Sequence, residues 1–141
     1  MVRTQRPPAG WYRGVCVDVQ GGRLVTFVWE VEVERQPGYR WIVARQFEPT
    51  LAPGSELRLF LELWQNHRFS PRTLQRGLPA EPAYLGRQAL LFLAPSSEGP
   101  YLDVLSAVAP PRSLPPLVPD GFYVRKKHRR RRRGQPSVET S

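Results

Sequence analysis

The chain has 141 residues, of which 40% are hydrophobic and 23% are charged, and its formal net charge is +9. This length suits one domain with appendages and excludes a large two-lobed enzyme. The single cysteine, Cys16, excludes a disulfide framework and a cysteine-based zinc site.

The positive charge is concentrated near the C-terminus. The preceding 124 residues contain 13 arginines against 11 acidic residues, so they form a nearly neutral body. Because a run of like charges repels itself, we expect residues 125–141 to form a disordered tail. Eight cations of this tail lie within nine positions: Arg125, Lys126, Lys127, Arg129, Arg130, Arg131, Arg132 and Arg133.

Hydrophobic alternation predicts a three-stranded meander in the first half of the chain. Residues 11–19 alternate with period two, which is typical of a half-buried strand, and a Gly-Gly pair then predicts a hairpin turn. The second strand has a fully apolar inner face, made by Val25, Phe27, Trp29, Val31 and Val33. Its outer face is largely acidic and we expect its Glu30, Glu32 and Glu34 to be solvated. A Pro-Gly turn leads to a third strand over residues 39–47.

The pattern then changes to a helical one. A stripe with spacing i, i+3, i+4 and i+7, preceded by Ser55 as the N-cap, predicts a helix whose buried face carries Leu57, Phe60, Leu61 and Trp64. Ser70, Pro71 and Gly77 predict a second, very short helix. We expect a loop or helical turn over residues 78–86 and two further strands over 87–94 and 101–108.

This order of elements predicts a mainly β fold: a five-stranded antiparallel OB-like barrel with a helix between strands 3 and 4. Another small barrel, or an open sheet with one packed helix, is the alternative. We expect an N-terminal arm over residues 1–10, the barrel over 11–109, a Pro-rich linker over 110–124 that acts as a stiff spacer, and the basic tail over 125–141.

Several short segments of the chain resemble a known group of proteins. They are Pro8-Ala9-Gly10-Trp11-Tyr12, Val25-x-Phe27-x-Trp29-x-Val31, Gly54-Ser55-x-Leu57-x-x-Phe60-Leu61, Tyr84-Leu85-Gly86-Arg87-x-Ala89 and Val108-Ala109-Pro110. Over residues 8–110 the chain resembles a loosely defined group of small phage and plasmid proteins, regarded as OB-fold-like single-stranded-DNA-binding proteins. The resemblance implies nucleic-acid maintenance and fixes no catalytic residue. The Arg-rich tail differs from the acidic tail with which many bacterial single-strand binders recruit partners.

Nucleic-acid-binding residues are expected in two places. The tail cations would neutralise phosphates whatever the base sequence. On strand three, bases would stack on rings beside cations, for which the candidates are Tyr39, Arg40, Trp41 and Arg45. Arg13 follows on strand one, next to Trp11 and Tyr12. Trp41 points outward only if Ile42 and Ala44 point inward, so the register of strand three decides its role.

Two observations bear on these candidates. The glutamates of strand two would repel phosphate from the outer face, unless Arg40 and Arg45 pair with them across the strands. Arg68, Arg72 and Arg76 form a basic loop, for which a solvated surface is the favoured interpretation over a secondary contact.

The sequence contains no Gly-rich phosphate loop, HExxH pair or nucleophile motif, so we predict no enzymatic activity, no metal and no cofactor. No N-terminal apolar segment resembles a secretory signal, and the expected location is cytoplasmic and nucleoid-associated, or nuclear in a eukaryotic host. The expected partner is single-stranded nucleic acid, DNA rather than RNA, and not a membrane. The alternative is a protein-interaction or structural module whose tail only tethers or targets a complex.

Overall fold

The computed structural model describes residues 6–77 and 81–125. In chain order the elements are β1 (Gly10–Gln20), β2 (Val25–Gln36), β3 (Tyr39–Phe47), α1 (Glu56–Gln65), α2 (Pro71–Arg76), α3 (Glu81–Tyr84), β4 (Gln88–Pro95) and β5 (Leu102–Val108). Within these residues no helix has both the length and the apolar character needed to cross a membrane.

The five strands form one antiparallel sheet in the order β3-β2-β1-β4-β5. The sheet curls into a half-barrel, with α1 inserted in the chain between β3 and β4. The predicted mainly β, OB-like fold is therefore confirmed. Because every neighbouring pair is antiparallel, the two edge strands, β3 and β5, run in the same direction. They lie opposite each other across a seam that has no backbone ladder hydrogen bonds.

A side chain bridges this seam where the ladder hydrogen bonds are missing. The Nη1 of Arg45 on β3 donates to the carbonyl oxygens of Val104 and Leu105 on β5, at 3.2 and 3.1 Å. The same guanidinium lies over the rings of Phe47 and Phe60, at 4.7 and 5.3 Å from their centroids. Arg45 thus links the two edge strands with its guanidinium, which also packs on the aromatic rings of the core.

The core lies between the concave inner face of the sheet and α1. The predicted inner face of β2 is confirmed, since Phe27, Trp29 and Val31 are buried. The predicted helix stripe is confirmed as well, and its Trp64 packs against Trp29 with ring centroids 5.6 Å apart. Ser55 caps α1 by accepting from the backbone N–H of Arg58 at 3.3 Å. Packing of these large rings fixes the helix against the sheet.

Strand β1 departs from simple alternation at a bulge between Cys16 and Asp18. A bulge adds one residue to one strand and changes which side chains face inward beyond it. Cys16 consequently packs in the core, whereas Asp18 is buried on the opposite, outer face of the sheet.

Residues 110–125 do not form the stiff spacer that the proline content predicts. They fold back over the outer face of the sheet, where Leu117 is buried and the side chains of several strands hold the backbone. We refer to residues 110–125 as the strap. The predicted separation of barrel and linker is therefore wrong, because polar side chains of the strands supply partners for backbone groups that proline-rich chain cannot pair within itself.

Candidate nucleic-acid interface

The first half of the strap is fixed by hydrogen bonds to its backbone. The Oε1 of Gln88 accepts from the N–H of Leu117 at 2.7 Å, and its Nε2 donates to the carbonyl of the same residue at 2.9 Å. Arg13 donates to the carbonyl of Pro115 at 2.9 Å, and Arg40 donates to that of Val118 at 2.7 Å. These contacts come from β4, β1 and β3, so the strap crosses the sheet.

Two buried carboxylates fix the second half of the strap. Glu30 is only 1% exposed, and its Oε2 accepts from the backbone N–H of Asp120 at 3.0 Å and from Arg40 at 2.6 Å. Asp18 is 2% exposed and accepts from the hydroxyl of Tyr123 at 2.8 Å and from Nε of Arg125 at 3.4 Å. Each buried charge is thus paired and hydrogen-bonded, as burial requires.

The predicted solvation of the strand-two glutamates is consequently wrong for Glu30. Arg40 does pair with it across the strands, as neutralisation of this face requires. Glu32 instead pairs with Arg13 of β1, at 3.0 Å between Nε and Oε1. Only Glu34 is exposed to solvent. The outer face is therefore neither open nor strongly acidic, because the strap and two arginines cover its charges.

Of the two rings predicted to stack bases on strand three, only that of Tyr39 is exposed. Trp41 is 4% exposed and lies in the core together with Val43, while Ala44 is exposed. The base-stacking role of Trp41 is therefore wrong, because β3 has the register that points the indole inward. Tyr39 is exposed at the strand's start, and its ring lies 4.5 Å from that of Phe122 in the strap.

The three body arginines predicted to bind nucleic acid already have partners within the fold. Arg13 is bonded to Glu32 and Pro115, and Arg40 to Glu30 and Val118. Arg45 bridges the barrel seam and does not pair with a glutamate of β2. A phosphate could reach these guanidinium groups only by displacing interactions that hold the barrel or the strap.

Trp11 is the most exposed indole of the described residues. It is 50% exposed at the start of β1, on the outer face beyond the strap, and its ring makes an edge contact with Phe92 of β4 at 5.2 Å. Half of this side chain is exposed to solvent. An exposed ring of this kind is the type of platform on which a base stacks.

A group of exposed arginines lies on the segment between α1 and β4. Arg68, Arg72, Arg76 and Arg87 are all exposed, and none of them makes an ion pair with a described side chain. Here we call these four the arginine group. The sequence interpretation gives the first three as a solvated loop and places Arg87 at the start of the fourth strand. Nothing in the sequence shows that Arg87 shares a cleft with Arg68.

The strap brings the start of the tail to the same end of the barrel. Arg125 contacts Asp18, which lies two residues along β1 from Cys16, a distance of roughly 7 Å in an extended chain. The backbone of Cys16 is hydrogen-bonded to Gly86 and Arg87, at 2.8 and 3.0 Å. Arg125 therefore contacts the same stretch of β1 to which the backbone of Arg87 is bonded. The remaining predicted cations of the tail, residues 126–133, lie outside the described residues.

A cleft of about 270 Å³ opens within the arginine group, between the end of α1, α2 and α3. Arg68 and Arg87 line it, and Phe69 and Tyr84 supply apolar surface. Burial raises the pKa of Tyr84 to about 12, against a smaller opposing effect of Arg87. The hydroxyl of Tyr84 donates to Oε1 of Gln65 at 3.0 Å.

Glu62 lies near this cleft but is already engaged. It accepts from the backbone N–H of Phe69 at 2.9 Å and from Nε of Arg58 at 3.3 Å. The hydrogen bond from Phe69 is the main cause that lowers the pKa of this carboxyl, with Arg58 and Arg68 adding smaller effects. Glu62 therefore stabilises the turn after α1 and neutralises little of the arginine group.

Neither a metal centre nor a known relative identifies the site. Among residues 6–77 and 81–125 no group of three or more histidine, cysteine or acidic side chains could hold a metal ion. No protein-family model, curated protein or solved structure matches this chain significantly. The resemblance to phage and plasmid single-strand binders thus stays a prediction, and function has to be argued from the surface itself.

Proposed function

We propose that the protein is a non-enzymatic single-stranded nucleic-acid-binding protein, which acts in DNA replication, recombination or maintenance. The arginine group and the basic tail form its main contact surface. The supporting observation is that Arg125, the last residue of the strap, contacts Asp18, two residues along β1 from Cys16, whose backbone is hydrogen-bonded to that of Arg87. The cations of the arginine group make no ion pair with a described side chain, so phosphate contact there breaks none of the ion pairs that hold the fold.

The arginine group and the strap also explain why the binding surface differs from the predicted one. The outer sheet face, which the OB-like fold offers to ligands, is occupied by the strap. Contact through Arg13, Arg40 or Arg45 would require loss of the strap or of the barrel seam. Binding through exposed cations leaves all of these intact, so the folded state needs no rearrangement.

The test is a fluorescence anisotropy titration of the full chain with an unstructured DNA oligonucleotide at several salt concentrations. We expect affinity to fall steeply with salt, because bound cations release counterions from the strand. Seven tail cations beyond Arg125 are replaced with glutamine in one variant. If all of them contact phosphates, the negative slope of log K against log salt becomes shallower by roughly 5 in this variant.

A second variant replaces Arg72 and Arg76 with glutamine and leaves the tail intact. Arg23 and Arg112, which are exposed and make no described ion pair, serve as the matched control pair. We expect only the first pair to weaken binding. Absence of binding by the full chain at low salt would refute the proposed function. A cut at Pro119 is unsuitable, since it removes Asp120 and Tyr123, the partners of Glu30 and Asp18.

An alternative function, a protein-interaction module tethered by its tail, is favoured by one observation. Leu59 and Leu63 lie one turn apart on α1, on its solvent side, and are 57% and 52% exposed. In that case Leu59→Ser with Leu63→Ser would abolish recovery of a stoichiometric partner after nuclease treatment. The same double variant would leave oligonucleotide affinity unchanged.

A further inference from the structure

We propose that the cleft within the arginine group binds the terminal nucleotide of a single strand, with its phosphate monoester held by Arg68 and Arg87. This inference rests on the proposed function, because it assigns a particular ligand to part of the same surface. It goes further in one respect: it predicts that the protein distinguishes a phosphorylated strand end from the interior of a strand.

The charge of the cleft favours a phosphate monoester. Two guanidinium groups line it, and among the described residues of its lining there is no aspartate or glutamate. A terminal phosphate monoester carries about −1.5 to −2 charges at pH 7, whereas an internal diester carries one. Since Arg68 and Arg87 lack described ion-pair partners, the more highly charged group gains more from the same two cations.

Two hydroxyl groups also line the cleft. Ser70 and Thr73 line the cleft, and their hydroxyl oxygens are 2.9 Å apart. The hydroxyl of Ser70 also accepts from the backbone N–H of Thr73 at 3.1 Å, and since one hydroxyl of the pair donates to the other, the pair keeps one proton to donate. A neutral donor beside two guanidinium groups provides a further hydrogen bond to phosphate oxygens without adding a competing negative charge.

The size and the remaining wall of the cleft favour a nucleotide. Its volume, about 270 Å³, lies just below the range of about 300–1,000 Å³ that holds a drug-sized ligand, so it suits one nucleotide and not several. Ala83 and the edges of Phe69 and Tyr84 provide apolar surface against which a base packs.

The experiment compares thymidine trinucleotides that carry a phosphate at the 5′ end, at the 3′ end or at neither end. Isothermal titration calorimetry with the full chain at low salt measures each affinity. We expect one of the two phosphorylated ligands to bind at least about tenfold more tightly than the unphosphorylated one, since charge-assisted hydrogen bonds are gained. The preferred end identifies which strand terminus enters the cleft.

Two substitutions locate the effect. Arg68→Gln and Arg87→Gln should each remove most of the preference for the phosphorylated ligand, while Arg112→Gln, the matched exposed control, should leave it unchanged. All three positions are exposed, so we expect little change in folding stability. A preference that survives both Arg68→Gln and Arg87→Gln would place the phosphate elsewhere and overturn the proposal.

The remaining outcomes separate this proposal from the proposed function. If a long oligonucleotide binds but the end phosphate has no effect, the cleft proposal fails and the general function stands. If the phosphorylated trinucleotide binds through Arg68 and Arg87 while long oligonucleotides do not bind, the cleft proposal stands and the general function fails. Equally tight binding of a phosphoserine tripeptide would overturn the nucleotide assignment, because a base would then contribute nothing.

Discussion

The side-chain amide of Gln88 pairs with both backbone groups of Leu117, accepting from its N–H and donating to its carbonyl. A single side chain thereby takes the place of a neighbouring strand and ties the strap to the start of β4. The side chain of Leu117 is buried at the same point. This contact fixes the strap at a point between its proline-rich start and the residues that are bonded to Glu30 and Asp18.

Gln88→Ala should loosen the strap without unfolding the barrel. Two hydrogen bonds of about 1 kcal/mol each are lost, so local opening at Leu117 should become roughly tenfold or more easier. Hydrogen exchange of the Leu117 amide measures this directly. Gln46→Ala on β3, where the side chain is exposed and makes no described hydrogen bond, is the control. Unchanged protection of Leu117 in Gln88→Ala would contradict the role of this contact.

Glu30→Ala should be markedly destabilising. The substitution removes the partner of Arg40 and the acceptor for Asp120, and hydrogen bonds to charged groups contribute about 1.5–3 kcal/mol. We expect a loss of about 2–3 kcal/mol in the free energy of unfolding, measured by urea denaturation. Glu34→Ala, at an exposed position of the same strand, should change it by less than about 0.5 kcal/mol. Similar effects of both substitutions would be inconsistent with Glu30 as an anchor.

The architecture of the barrel follows from sequence patterns because each pattern has one dominant cause. The alternation of Phe27, Trp29 and Val31 requires one buried face, and the spacing of Phe60 and Trp64 requires one buried helix stripe. The Ser55 and Ser70 caps are equally local, since each hydroxyl bonds a backbone amide three residues ahead. Such features depend on neighbours in sequence, and therefore they can be predicted.

The interface could not be predicted in the same way because it depends on long-range contacts. The acidic face of β2 looks solvated until the strap, about 90 residues later in the chain, covers Glu30. The register of β3 is undecided in the sequence, since both of its faces carry apolar residues; Trp41 is buried as a result of tertiary packing. Likewise, Arg45 serves the barrel seam only because β5 lies opposite.

The thiol of Cys16 should be unreactive in the folded protein. Burial is the main cause that raises the pKa of this thiol to about 12. At pH 8 only about one molecule in 10⁴ would then carry the reactive thiolate, compared with roughly a quarter of molecules when the chain is unfolded. Labelling with a thiol reagent should therefore be more than about 10³-fold slower in native buffer than in denaturant. Comparable labelling rates in the two conditions would show that Cys16 is not enclosed by the core.

Arg45→Ala separates a structural role from a nucleic-acid-binding role. The arginine bridges β3 to the carbonyls of Val104 and Leu105, so its loss should reduce the free energy of unfolding by about 1–3 kcal/mol. Under conditions where the variant is folded, its affinity for an oligonucleotide should stay within about twofold of the parent. A tenfold loss of affinity with unchanged stability would instead support the contact predicted for strand three.

Intrinsic fluorescence tests whether bases stack on the barrel. Of the four tryptophans, Trp29, Trp41 and Trp64 are buried, whereas Trp11 is half exposed. If a bound strand extends from the arginine group along the body to Trp11, stacking should quench the emission of this indole. Trp11→Phe should then abolish the quenching. Trp11→Ala should weaken binding by about 1–3 kcal/mol, the contribution of one stacked base. Quenching that persists in Trp11→Phe would have to come from a buried indole, which would mean that binding rearranges the core.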